Sequence, residues 1–103
     1  LKDDGGLDGA RADADAAVVH APRLVQGQLC RGLLQLRGGE WEGARLSYEA
    51  ALEVEPGNPS ALFGRGVARR RVGDRQGVQD MNQARDFEPN IGRAFEELGV
   101  QTF

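Results

Sequence analysis

The chain has 103 residues and a net charge of −3, it is rich in Ala, Leu, Gly and Arg, and only 6% of its residues are aromatic. It has no apolar run long enough to cross a bilayer and no excess of cations of the kind that draws a protein onto nucleic acid, so we expect neither a membrane protein nor a general nucleic-acid binder. One cysteine and one histidine cannot form an intramolecular disulfide or a four-ligand zinc site.

The first segment is acidic and Gly-rich from Leu1 to Gly9, without the apolar core of a signal peptide. We expect the chain to be a piece of a longer protein, with any targeting segment upstream. Between residues 7 and 22, three alanines at helical spacing and one proline stand 34 positions before the corresponding residues of a later segment. This spacing predicts that residues 7–22 form the second helix of an incomplete repeat. The matched residues are Ala10, Ala14, Ala17 and Pro22 with Ala44, Tyr48, Ala51 and Pro56.

Residues 23–58 are predicted to form one complete repeat. The pattern indicates a helix, a turn at Gly38-Gly39, and a second helix that begins near Glu40. That helix ends at Pro56, because proline cannot continue a helix. Two glycines of this segment recur 34 positions downstream, which makes the same period visible in a second set of residues. The recurring pairs are Gly32 with Gly66 and Gly39 with Gly73.

Residues 59–90 are predicted to form a degenerate repeat with a turn at Gly73-Asp74. Pro89 follows Pro56 by 33 positions, one short of the period. Val78 stands where the period predicts alanine, and Asn82 stands where it predicts an aromatic residue. We therefore expect the last helix of this repeat to be rotated about its axis.

Residues 91–99 are predicted to form a short capping helix, with Ile91, Ala94, Phe95 and Leu98 on one face and Gly99 at its end. The ends of repeat arrays need such caps. We expect residues 1–103 to form a single domain.

Together these motifs resemble the tetratricopeptide repeat family, in the form of a short bacterial-type array, and the resemblance covers the chain from about Leu7 to Pro89. It is carried by Gly32, Gly39, Trp41, Ala44, Tyr48, Ala51 and Pro56. The resemblance implies an all-α, right-handed solenoid of antiparallel helix pairs with a C-terminal capping helix. It also implies a scaffold module that binds a protein or peptide, with no cofactor.

In this family the first helix of each repeat lines a concave groove. The resemblance therefore places ten residues toward a partner, and substitution of Phe63, Leu33 or Arg70 is expected to weaken binding. An apolar groove with arginines at one side suits an amphipathic or extended segment with acidic flanks. The predicted groove residues are Gln26, Leu29, Leu33, Leu36, Arg37, Ser60, Phe63, Val67, Arg70 and Arg71.

Three other functions are weighed against peptide binding. An enzyme is not expected, because no nucleophile, base, acid pair or metal set assembles in the sequence. Self-association is an alternative, because the helix over residues 7–22 would present its alanine stripe to solvent or to another copy. The arginines from Arg65 to Arg75 could instead bind an anionic ligand or nucleic acid, although a solvated surface explains them about as well.

Overall fold

The fold is all-α, as predicted, in the part of the chain that the computed structural model describes, residues 3–20 and 24–102. No strand occurs in these two ranges. The helices are α1 Asp3–His20, α2 Val25–Arg37, α3 Trp41–Val54, α4 Pro59–Arg71, α5 Gln76–Phe87 and α6 Ile91–Glu97.

The helices begin and end close to where the sequence predicts, with one exception at the start. The backbone of α1 is already helical at Asp3, four residues before the predicted start at residue 7. Acidic residues in a first turn favour a helix because they oppose the positive end of its dipole. The predicted end of this helix at Pro22 lies outside the described residues.

Short turns with defined chemistry join the helices. Gly39 and Gly73 have φ of 77° and 87°, a left-handed conformation that residues with a Cβ rarely adopt, so glycine is required after α2 and after α4. The side chain of Asn58 accepts a hydrogen bond from the amide of Ala61, and Pro59 occupies the first turn of α4. These signals fix where α2 ends and where α4 starts and ends.

Helix α4 lies at the centre of the packing, because it contacts α2, α3, α5 and α6. Its buried residues include Phe63 and Val67, which are 0% and 2% exposed. Tyr48 of α3, 1% exposed, and Met81 of α5, 2% exposed, pack into the same core. Helix α1 contacts α2 at the other end of the molecule.

The buried face of α5 explains why the second repeat departs from the sequence period. Its inward residues include Gly77, Met81 and Ala84, while Val78 is 48% exposed. These three and Pro89 stand 33 positions after Ala44, Tyr48, Ala51 and Pro56. One residue is missing in the turn between Gly73 and Gly77, so the inward pattern resumes one position earlier and Val78 and Asn82 do not occupy the positions that correspond to Ala44 and Tyr48.

Helices α4 and α5 approach so closely at Gly66 that there is no room for a side chain at that position. A Cβ atom on Gly66 would lie 2.6 Å from the carbonyl oxygen of Gly77 and 2.6 Å from Cγ of Met81. Backbone atoms cannot move aside as a flexible side chain can. Glycine at position 66 is therefore required by packing.

We expect Gly66→Ala to lower the free energy of unfolding by roughly 1–3 kcal/mol, because overpacking outweighs the gain in helix propensity of about 1 kcal/mol. Urea unfolding followed by circular dichroism measures this change. The matched control is Gly57→Ala, at an exposed turn where a Cβ would meet nothing within 4 Å. Equal stability of Gly66→Ala and the unsubstituted chain would contradict the close helix contact.

Candidate functional site

The main candidate site is an open cavity of about 420 Å³ between α2, α4 and α6. Four of the ten predicted groove residues line it, and they are Gln26, Leu29, Leu33 and Ser60. The rest of its lining is Cys30, Tyr48, Phe95 and Leu98. The apolar side chains come from α2 on one side and from α6 on the other, so the cavity is a groove with two apolar walls.

Three other predicted groove residues are not available to a partner, and their assignment as contact residues needs correction. Leu36, Phe63 and Val67 are 3%, 0% and 2% exposed and belong to the hydrophobic core. For Phe63 the reason is that α6 packs on α4: the rings of Phe63 and Phe95 have centroids 4.9 Å apart. Phe63 therefore contributes to stability and cannot serve as the groove anchor.

The last three predicted groove residues, Arg37, Arg70 and Arg71, lie at what we call the arginine end of the groove. All three are exposed, and the segment Gly99–Thr102 runs past them. Nη1 of Arg70 donates a hydrogen bond of 2.9 Å to the carbonyl oxygen of Thr102. Nη2 of Arg71 lies 3.3 Å from both the carbonyl oxygen and Oε1 of Gln101.

The segment Gly99–Thr102 is held in place by its own local structure. Gly99 has a φ of 90°, which turns the chain at the end of α6. The side chain of Val100 is 5% exposed and packs into the core. Arg71 also stacks over the ring of Trp41, with Cζ 5.1 Å from the ring centroid. The arginine end is thus partly covered by the chain itself, whereas the apolar cavity is open.

Tyr48 reaches the cavity from the α3 side, a position that its place in the repeat motif does not predict. The ring starts on α3 and passes between α2 and α4 at two glycines. A Cβ on Gly32 would lie 2.8 Å from Cζ of Tyr48, and a Cβ on Gly64 would overlap the same atom. The ring tip therefore forms part of the cavity wall. Burial raises the pKa of the Tyr48 phenol, and nearby Cys30 raises it further, so the hydroxyl stays protonated.

The arginines predicted as a possible anion-binding cluster do not form one surface. Arg65 and Arg69 turn toward α5, where both donate to the buried carboxylate of Asp80 at distances of 2.9 to 3.0 Å. Arg70 and Arg71 contact the C-terminal segment described above. Buried carboxylates need such partners, because an unpaired charge in the interior is costly. Two of the cations are therefore structural.

The alanine stripe of α1 is only partly covered by the rest of the chain, because Ala14 is buried whereas Ala17 is exposed. Ala14 is 4% exposed, and a Cβ on Gly27 would lie 3.2 Å from Cβ of Ala17. The side chain of Ala10 lies outside the described residues. Arg11 pairs with Glu40 at 2.6 Å and Arg31 with Asp15 at 2.9 Å, which ties α1 to its neighbours.

In comparisons with known proteins, no family model, no curated protein and no solved structure matches the chain. Among the residues that the structure describes, no group of histidine, cysteine and acidic side chains is placed to hold a metal ion. Over the same residues no helix is both long and apolar enough to span a bilayer.

We expect Val100→Glu to release the segment Gly99–Thr102 from the arginine end, because a carboxylate cannot remain in the core position of Val100. Trp41, the only tryptophan, shares a cavity of about 270 Å³ with Arg71 and Val100. Its fluorescence emission should therefore move to longer wavelength as water enters. Val78→Glu, at an exposed site on α5, is the control and should leave the emission unchanged. An unchanged spectrum for Val100→Glu would show that the segment does not cover this end.

Proposed function

We propose that the chain is a tetratricopeptide-like module, a right-handed stack of antiparallel helix pairs, that binds a peptide segment of a partner protein in the groove between α2, α4 and α6. The observation that carries this proposal is the open cavity on the face of α2 that the family pattern assigns to partners. Leu29 and Leu33 are only partly buried there, and no described residue fills the space between them and α6. Pockets of this size with apolar walls and few polar groups are typical binding sites.

The charges around the cavity favour a particular partner sequence. In the described part of the chain no charged side chain lines the cavity, whereas Arg37, Arg70 and Arg71 stand at one end of the groove. Within the described residues, Arg70 and Arg71 contact carbonyl and amide oxygens of the segment Gly99–Thr102 and no carboxylate. An apolar side chain entering the cavity, followed by an acidic residue toward the arginines, matches both features.

We expect Leu33→Ala to weaken peptide binding by roughly 1–3 kcal/mol, because a side chain that walls the cavity is removed. Peptides selected from a random-peptide library displayed on phage would be synthesised and titrated by calorimetry. Leu46→Ala is the matched control, since Leu46 is 55% exposed on α3 and does not line the cavity. Failure to select any peptide, or equal affinity for the Leu33→Ala and Leu46→Ala variants, would contradict the proposal.

A second candidate function, self-association, is favoured by exposed apolar residues at the junction of α1 and α2. Val19 is 75% exposed and Leu24 is 64% exposed, the highest values among the large hydrophobic residues described. Exposed apolar side chains can mark a contact between copies. If this function holds, light scattering over a concentration series shows a dimer that loosens on dilution, and the Val19→Asp, Leu24→Asp double variant is monomeric. A monomer at all concentrations would exclude it.

A further inference from the structure

The ring of Tyr48 is buried, but packing of the ring does not explain why it carries a polar hydroxyl group. The ring is 1% exposed and its tip lies in the wall of the cavity between α2, α4 and α6. Within residues 3–20 and 24–102, none of the side-chain hydrogen bonds involves this hydroxyl, and burial and Cys30 alone perturb its pKa. The hydroxyl oxygen is not among the fully enclosed side-chain atoms that lack a partner, so it faces the open cavity, where a bound group can accept a hydrogen bond from it. A phenylalanine would pack between Gly32 and Gly64 equally well, so the hydroxyl has no structural role there.

The residues around the hydroxyl determine what kind of group could accept a hydrogen bond from it. The apolar walls of the cavity are formed by Leu29, Leu33, Phe95 and Leu98, and its neutral polar groups come from Ser60 and Gln26. Among the residues that the structure describes, no charged side chain lines it. An uncharged lining matches an uncharged occupant, because a charged group would lose its hydration there without gaining an opposite charge. The arginine end lies elsewhere in the groove and cannot neutralise a group inside the cavity.

We propose that the cavity binds an uncharged group with an apolar body and one acceptor oxygen, such as a leucine-type side chain with its adjoining peptide carbonyl, and that the Tyr48 hydroxyl donates the hydrogen bond that positions it. This inference rests on the proposed peptide-binding function and adds the chemistry of the anchor. The hydroxyl is fixed by the glycine-lined passage before any ligand arrives, so little conformational entropy is lost when the bond forms. Tyr48 is thus a residue that determines specificity.

The test uses two small probes of the same shape, acetophenone and α-methylstyrene, in which a carbonyl oxygen is replaced by a methylene group. Both would be titrated into the ¹⁵N-labelled full chain while amide shifts along α2 are followed by NMR. We expect Tyr48→Phe to weaken acetophenone binding about fivefold, the usual net effect of one hydrogen bond, and to leave α-methylstyrene binding unchanged. Unchanged thermal unfolding of Tyr48→Phe would show that the fold is intact.

Ser60→Ala is the matched control, because it removes another hydroxyl from the same cavity wall. It should affect both probes less than Tyr48→Phe affects acetophenone. The inference is overturned if Tyr48→Phe weakens both probes equally, if it weakens neither, if Ser60→Ala produces the selective loss instead, or if the shifts map away from the cavity. Selected peptides that depend on Leu33 but bind Tyr48→Phe normally would overturn this inference alone and leave the proposed function standing.

Discussion

The architecture depends on how closely α4 approaches its neighbours, and this approach depends on two glycines of α4. Gly64 leaves room for the Tyr48 ring from α3, and Gly66 lets the backbone of α5 come into contact at Gly77. Glycine in the middle of a helix costs about 1 kcal/mol relative to alanine, so such residues need compensation from packing. Here the compensation is the burial of Tyr48, Met81 and the rest of the core around α4. A bulkier residue at either glycine would separate the helices that this core holds together.

The same close packing explains why the groove is open over α2 and closed over α4. Helix α6 packs on α4 through the contact of Phe95 with Phe63, and it thereby covers the position of α4 that corresponds to Leu29 on α2. Because α6 is only seven residues long, its apolar side chains reach the edge of α2 but do not seal it. The cavity is the space left between a full-length helix and a short one.

Much of the helix layout was predictable from the sequence, because glycine turns and prolines act locally. Gly39 and Gly73 mark turns through their own backbone conformation, whatever the rest of the chain does. The burial of Phe63 was not predictable in this way, since it depends on how α6 docks against α4. The residues Gly77, Met81 and Ala84 follow Ala44, Tyr48 and Ala51 at a distance of 33 positions. An alignment at a fixed period of 34 does not match them, because one residue is missing in the turn before α5. The position of the Tyr48 hydroxyl was not predictable from the sequence, because it depends on how α2, α3 and α4 pack together.

The distribution of charge indicates which contacts would contribute most to the affinity for a partner bound as proposed. Asp80 engages Arg65 and Arg69 inside the fold, so these cations are not available outside it. The cations that remain at the groove are exposed, and exposed ion pairs contribute only about 0.2–1 kcal/mol each and weaken in salt. Arg70 and Arg71 already contact the C-terminal segment, which a partner's acidic residue would have to displace or share. Burial of an apolar side chain contributes about 1.5–3 kcal/mol without such competition. Affinity in this groove would therefore come first from the apolar anchor, and the arginine end would mainly set the direction in which the peptide lies.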